Sequence, residues 1–243
     1  DVIKNPEGVR KKLGYMSQQF SMYPDLTPLE NLRFYGGIYA MGADLLERRI
    51  EEALEELELR MFKDSLTAAL PLGFKQRLAL ASASLHRPEI IFLDEPTSGV
   101  DPIARVKFWS YVQKLVRENK ITAIVTTHFL NEAEYCDNII LMHEGGIAAH
   151  GSPSQMKDDV EQQIKIFQIA TGAQLKELYR VRQYTYIADI YSWGRNYRVV
   201  ITRETGIDKE RLIADFSILG IDILSIEEIK PSLEDVFIRY YQL

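Results

Sequence analysis

Ile90-Ile91-Phe92-Leu93-Asp94-Glu95-Pro96 reads as a buried strand that brings two consecutive carboxylates to its carboxyl end. Ile121–Thr127 is a second run rich in β-branched residues without polar alternation. Between the two, Pro102–Asn119 has helical periodicity through Val106, Phe108, Trp109, Val112 and Leu115. Strand, helix, strand makes a right-handed βαβ unit, so the strands lie parallel and their carboxyl ends share one edge. His128 follows Asp94 by 34 positions. It falls at the end of the second strand, on the edge where α/β proteins bind ligands. A lone histidine is usually structural, but one placed beside a double carboxylate is a functional candidate. One acid is positioned to hold Mg²⁺ and the next to face a water beside a γ-phosphate.

Working outward, the chain up to about Pro88 reads mostly helical. Thr27-Pro28-Leu29-Glu30 is a helix start: Thr27 caps, Pro28 takes the first helical position and Glu30 reaches back. A second helix follows, with Leu46, Ile50, Ala53, Leu54 and Leu57 on one face. After Gly151-Ser152-Pro153 the pattern changes. Strands are expected at Ile164–Ile169, Tyr184–Tyr191, Tyr197–Thr202 and Ile221–Ile226, and helices at Gln174–Arg182 and Asp208–Leu219. That βαββαβ order is a ferredoxin-like split βαβ. A last helix opens at Pro231-Ser232-Leu233-Glu234-Asp235, where Ser232 can cap.

The 243 residues carry a net charge of −6, 46% hydrophobic residues and a single cysteine, Cys136. No intrachain disulfide can form, and a net acidic chain is a poor non-specific partner for nucleic acid or anionic lipid. The longest apolar runs are far below the roughly 18 residues that a membrane span needs.

The string Phe92-Leu93-Asp94-Glu95-Pro96-Thr97-Ser98-Gly99-Val100-Asp101-Pro102, followed by Thr126-Thr127-His128, closely resembles the Walker B, D-loop and switch-histidine segments of ABC-transporter ATPase subunits. Gly14-Tyr15-Met16-Ser17-Gln18 is similar to their Q-loop. Pro231-Ser232-Leu233-Glu234-Asp235-Val236-Phe237 looks like the carboxyl-terminal extension of the drug-export branch. The resemblance implies an α/β fold: an incomplete P-loop NTPase (ABC ATPase) domain over residues 1–151, with a helical subdomain at about 20–88, then a small α+β ferredoxin-like domain over 160–243. It implies an ATPase that uses ATP and Mg²⁺. Asp94 would bind the metal, Glu95 would polarise the attacking water, and His128 would sense the γ-phosphate. Gln18 would touch metal or water and link the site to the helical subdomain. Gly73, Lys75, Gln76, Ser98 and Asp101 would contact nucleotide or the dimer seam. The implied partners are a transmembrane permease and a second nucleotide-binding domain, and the implied place is the cytoplasmic face of the plasma membrane.

Two departures stand out. The signature loop, normally Leu-Ser-Gly-Gly, here reads Leu70-Pro71-Leu72-Gly73, so a hydroxyl and an amide donor are lost. Such a loop suits one half of an unequal pair. A P-loop needs Gly-x-x-x-x-Gly-Lys-Ser/Thr. Gly37…Gly42 and Gly146…Gly151 have the glycine spacing, but Ala43 and Ser152 follow them instead of lysine. With Asp1 in place of methionine, this leads to the expectation that a preceding segment holds the P-loop, that the chain as given is inactive alone, and that apolar strand faces are exposed. The alternative is a non-catalytic ABC-like protein that docks on a permease or a partner ATPase. A DNA-repair or translation ATPase fits the acidic charge and the drug-export-like ending less well.

Overall fold

The computed structural model describes residues 2–241; Asp1, which bears on the expectation about the chain's start, lies outside them. The chain divides into two compact units, residues 1–129 and 130–243.

The first unit runs α1 (Pro6–Arg10), β1 (Leu13–Met16), α2 (Pro28–Ile38), α3 (Ala43–Glu56), α4 (Leu72–Ser84), β2 (Ile90–Asp94), α5 (Pro102–Asn119) and β3 (Thr122–Thr126). The expected capping box starts α2: Glu30 N–H donates to Thr27 Oγ1 at 3.2 Å, and Thr27 N–H donates to Glu30 Oε2 at 2.8 Å. The expected βαβ unit is present, and β2 is the middle of a three-stranded parallel sheet, β1-β2-β3. In register, Met16 lies beside Leu93 and Asp94 beside Thr126. β1 is a strand within the stretch that reads mostly helical. Four residues without a β-branched member give no strand signal of their own; pairing with β2 makes it one. Gly14 is required there, because a Cβ would sit 2.2 Å from the Ala83 carbonyl oxygen at the end of α4.

One face of this sheet buries Met16, Ile91 and Leu93 against Leu80, Ala83, Phe108, Trp109 and Val112. On the other face the register row Tyr15, Phe92, Ile124 leaves Tyr15 61% and Ile124 46% exposed, as expected for the strands. Helix α4 is apolar around much of its circumference because it serves two cores. Leu80 and Ala83 face the sheet, whereas Leu78, Ala81 and Leu85 pack with Leu32, Ile50, Leu54 and Leu57 of the helical layer.

His86, just past α4, ties that layer to β1. Its ring stacks on Tyr39 with centroids 3.6 Å apart, and Nε2 lies 3.1 Å from the Leu13 carbonyl oxygen. Burial holds the imidazole below its ordinary 6.5, against a smaller opposite pull from the carbonyl. The native state therefore resists a proton that the unfolded chain accepts. Stability from this site is complete above pH 6.5 and declines as pH falls below it. In a Trp193→Phe background, where Trp109 fluorescence reports the first unit, urea midpoints are expected to drop more steeply from pH 7.5 to 5.5 with His86 present than in His86→Phe.

The second unit runs α6 (Leu130–Ala133), β4 (Ile139–His143), β5 (Gly146–Gly151), α7 (Pro153–Gln163), β6 (Ile164–Thr171), α8 (Leu175–Leu178), β7 (Ile187–Trp193), β8 (Asn196–Thr202), α9 (Lys209–Ile218), β9 (Ile223–Ile229) and α10 (Leu233–Tyr241). β4 and β5 form an antiparallel hairpin. The four-stranded sheet has the order β7-β8-β6-β9 with every pair antiparallel, the arrangement of a split βαβ sandwich. The helix expected over Gln174–Arg182 is α only to Leu178, then tightens into a 3₁₀ turn over Tyr179–Gln183 that keeps Val181 buried. Phe167, Ile169, Val199 and Ile201 pack with Leu212 and Phe216. Ile164, Ile166 and Val200 pack instead with Val160, Leu233 and Val236. Both sheet faces are thus covered. Among the described residues, no helix is long and apolar enough to cross a membrane.

Candidate functional site

The carboxyl edge of the β1-β2-β3 sheet gathers the chemistry. Glu95, directly after β2, has φ +44°, a left-handed conformation that costs a non-glycine residue on the order of 1–3 kcal/mol. Backbone contacts hold it there: Glu95 N–H donates to the Thr126 carbonyl at 3.0 Å, and Ser98 N–H donates to the Glu95 carbonyl at 3.2 Å. The turn continues through Gly99 at φ +73°, a value that glycine accepts freely, and ends at Asp101. Asp101 Oδ1 caps α5 by accepting from the amides of Ile103 and Ala104 at 3.1 and 3.0 Å.

This turn directs the Glu95 carboxylate between two neighbours. Gln18, two residues past β1, donates from Nε2 to Glu95 Oε2 at 2.9 Å. His128, two residues past β3, places Nδ1 3.2 Å from Glu95 Oε1. The His128 ring also leans on Phe129, with centroids 4.1 Å apart. The Asp94 carboxylate at the end of β2 accepts from Thr126 Oγ1 at 2.5 Å. Gln18, Asp94, Glu95 and His128 therefore meet at one edge, although positions 18 and 128 are far apart in the chain. Sequence reading named Thr126 only as part of the string before His128 and gave it no role, yet it joins the same cluster. Its signal was the register, because the residue beside Asp94 on a parallel neighbour projects to the same side of the sheet.

The oxygens present suit Mg²⁺, which takes one or two carboxylates and completes its shell with water and substrate phosphates. Asp94, whose Oδ1 accepts from Thr126, and Gln18, whose Nε2 donates to Glu95, are the two sequence-predicted metal candidates at this edge. Among the described residues, no group of three or more His, Cys, Asp or Glu side chains converges as a closed metal cage.

Apart from Ser98, which belongs to the turn after Glu95, the remaining candidates lie on α4 and at the start of α5. Gly73 is at the start of α4, where a Cβ would come within 2.9 Å of Ala104 Cβ, so close helix packing requires glycine. It is also near Asp101, whose Oδ2 would be 3.8 Å from that Cβ. Lys75 Nζ donates to the Ala68 carbonyl at 2.8 Å, Gln76 is buried, and Ser98 is part of the turn after Glu95. Pro71 is the N-cap residue of α4 and supplies no side-chain cap, and Leu72 beside it is 43% exposed. Of the two P-loop-like glycine spacings, Gly37 lies within α2 and Gly42 caps α3, while Gly146 and Gly151 are the two ends of β5. Neither spacing is a strand, loop and helix.

Residues 3–98 match the family model described as ABC transporter. The chain is 32% identical over 248 aligned residues to the Nod factor export ATP-binding protein I of Rhizobium sp. (strain N33), covering 98% of this chain and 77% of that protein. The chain belongs to the ABC transporter ATP-binding family. This ABC chain is also 46% identical over 157 residues to the probable multidrug ABC transporter ATP-binding protein YbhF of Escherichia coli (strain K12). The match covers 65% of the chain but only 27% of that relative's length. Among solved structures it is similar to cbiO1 from Clostridium perfringens, part of the ABC transporter complex cbiONQ, with a TM-score of 0.59, 27% identity, and 65% and 64% coverage of the two chains. A dimeric ATP-binding cassette in a post-hydrolysis state, bound to ADP and Pi, gives a TM-score of 0.56 at 31% identity, with 63% and 67% coverage. The α/β first unit is thus an ABC ATPase fold, and the relatives are named for multidrug or Nod factor export.

Proposed function

We propose that this ABC chain supplies the carboxylate, glutamine and switch-histidine side of a Mg·ATP site in an export transporter, where ATP hydrolysis drives a membrane permease. The convergence of Gln18, Asp94, Glu95 and His128 at one sheet edge carries this reading. Bound Mg²⁺ would neutralise phosphate charge and orient the phosphates for in-line displacement. Asp94 would hold the metal, and Gln18 would link its presence to the helical layer through the loop after β1. Glu95, aimed by Gln18 and His128, orients the attacking water and takes its proton. His128 contacts the terminal phosphate. Gly73, Lys75, Gln76, Ser98 and Asp101 belong to the face toward a second nucleotide-binding domain. The exposed Leu72 and the donor-less Pro71 make this chain the weaker contributor to that partner's site.

In this reading residues 1–151 form the ATPase part, with its helical subdomain at about 20–88, and residues 160–243 form an accessory domain. The partners are a permease and a second ATP-binding domain, with the subunit peripheral on the cytoplasmic face. The phosphate cradle comes from outside these 243 residues, because no Gly-x-x-x-x-Gly-Lys-Ser/Thr occurs within them. Two measurements test the proposal. The intact protein is expected to hydrolyse ATP in a Mg²⁺-dependent way, and failure to do so with its permease present overturns the assignment. The 243 residues alone are expected to show negligible nucleotide affinity in a fluorescent-ATP titration; micromolar binding contradicts an external cradle.

A further inference from the structure

We propose that Thr126 is a positioning residue that locks the two acids of the site, its hydroxyl bridging the Asp94 side chain and the Glu95 backbone. This rests on the Mg·ATP reading above. Thr126 Oγ1 donates to Asp94 Oδ1 at 2.5 Å and accepts from Glu95 N–H at 3.3 Å, a bond shared with the Thr126 carbonyl at 3.0 Å. The first contact commits one carboxylate oxygen and leaves Oδ2 for a metal, fixing the side-chain orientation before any ion arrives. The second helps hold Glu95 at its positive φ, from which its carboxylate meets Gln18 and His128.

Threonine suits both tasks. Its β-branched side chain favours the strand and has few χ1 rotamers, and the parallel register sets it directly beside Asp94. Thr127 does different work, accepting from Phe129 N–H at 3.0 Å in the turn that carries His128. The neighbouring threonines thus divide the labour, one holding the acids and the other shaping the loop of the histidine. A residue that orients a metal ligand tunes affinity without touching the metal.

The test compares Thr126→Val, which keeps the shape and removes the hydroxyl, with Thr126→Ser, which keeps the hydroxyl, in the intact protein. The readout is binding of a fluorescent, non-hydrolysable ATP analogue as Mg²⁺ is titrated, with the unfolding midpoint of the nucleotide-free protein as a control. Thr126→Val is expected to raise the half-saturating Mg²⁺ concentration roughly three- to tenfold, about the worth of one hydrogen bond. Thr126→Ser is expected to match the wild type, and nucleotide binding without Mg²⁺ to stay unchanged in both. A wild-type response in Thr126→Val overturns the positioning role, as does an equal shift in Thr126→Ser. If the wild type itself shows no Mg²⁺-dependent nucleotide binding, the reading of the site falls and takes this inference with it.

Discussion

Glu95→Gln in the intact protein is expected to lower Mg²⁺-dependent ATP hydrolysis by roughly 10²–10⁴-fold, the usual contribution of a positioned general base, while ATP still binds. The geometry makes this a test of charge and not of shape. The amide oxygen of glutamine can still accept from Gln18 Nε2, and its NH₂ can face His128 Nδ1 in the tautomer that accepts. Both contacts, now at 2.9 and 3.2 Å, therefore persist. What disappears is the ability to take a proton from water. Glu95→Asp separates the two factors in the other direction, because it keeps the charge but withdraws the carboxylate by one methylene from both partners. Single-turnover hydrolysis beside equilibrium ATP binding measures the two effects independently. The glutamine variant is expected to bind ATP and hold it unhydrolysed. Hydrolysis at the wild-type rate would remove Glu95 from the reaction.

The parts of this site that rest on local chemistry were legible in the chain. Thr27 and Glu30 announce a helix by their spacing. Ile90–Leu93 announces a strand by its unbroken apolar run, and the βαβ rule then carries His128 to the edge of Glu95; the burial on both faces that such a run suggests does not hold, because the face of Tyr15 and Ile124 is exposed. The parts that depend on pairing were not. Leu13–Met16 becomes a strand only because Ile90–Leu93 is there to bond it, and Gly14 is explained only by the Ala83 carbonyl that crosses it. Thr126 looks like any strand threonine until the register sets it against Asp94. The left-handed backbone of Glu95 was also hidden, since nothing about glutamate before proline favours it; contacts from β3 impose it. The motif Pro231–Phe237 could be recognised by resemblance, yet its physical content, a buried Asp235 paired with Arg198 on β8 and hydrogen-bonded by Tyr191 on β7, came from positions remote in the chain.

That ion pair gives the largest stability effect expected in the second unit. Asp235 is 2% exposed at the start of α10, and Arg198, on β8, is 6% exposed. Asp235 Oδ2 accepts from Arg198 Nη1 at 2.5 Å and from the amide and hydroxyl of Ser232 at 2.7 and 2.6 Å. Its Oδ1 accepts from the Tyr191 hydroxyl, which burial and then this bond push above the ordinary tyrosine range, so it remains a neutral donor. The guanidinium lies 3.4 Å over the Trp193 ring. Asp235→Ala leaves that cation buried without its anion and removes the reciprocal half of the Ser232 cap on α10, whose Leu233 and Val236 cover one face of the sheet. Breaking a buried pair from one side costs about 3–5 kcal/mol, a large share of the roughly 5–15 kcal/mol that holds a domain together. Replacing both partners by apolar residues, Arg198→Met with Asp235→Leu, removes the stranded charge and is expected to recover part of the loss, although Ser232 and Tyr191 still lack their carboxylate acceptor. Trp193 makes the measurement direct, because in a Trp109→Phe background its fluorescence reports the second unit alone. Urea unfolding there is expected to rank wild type above the double variant and the double variant above Asp235→Ala. If Asp235→Ala shifts the unfolding free energy by less than about 1 kcal/mol, the pair is no more than a surface ion pair in its energetics, and α10 is held by its apolar face.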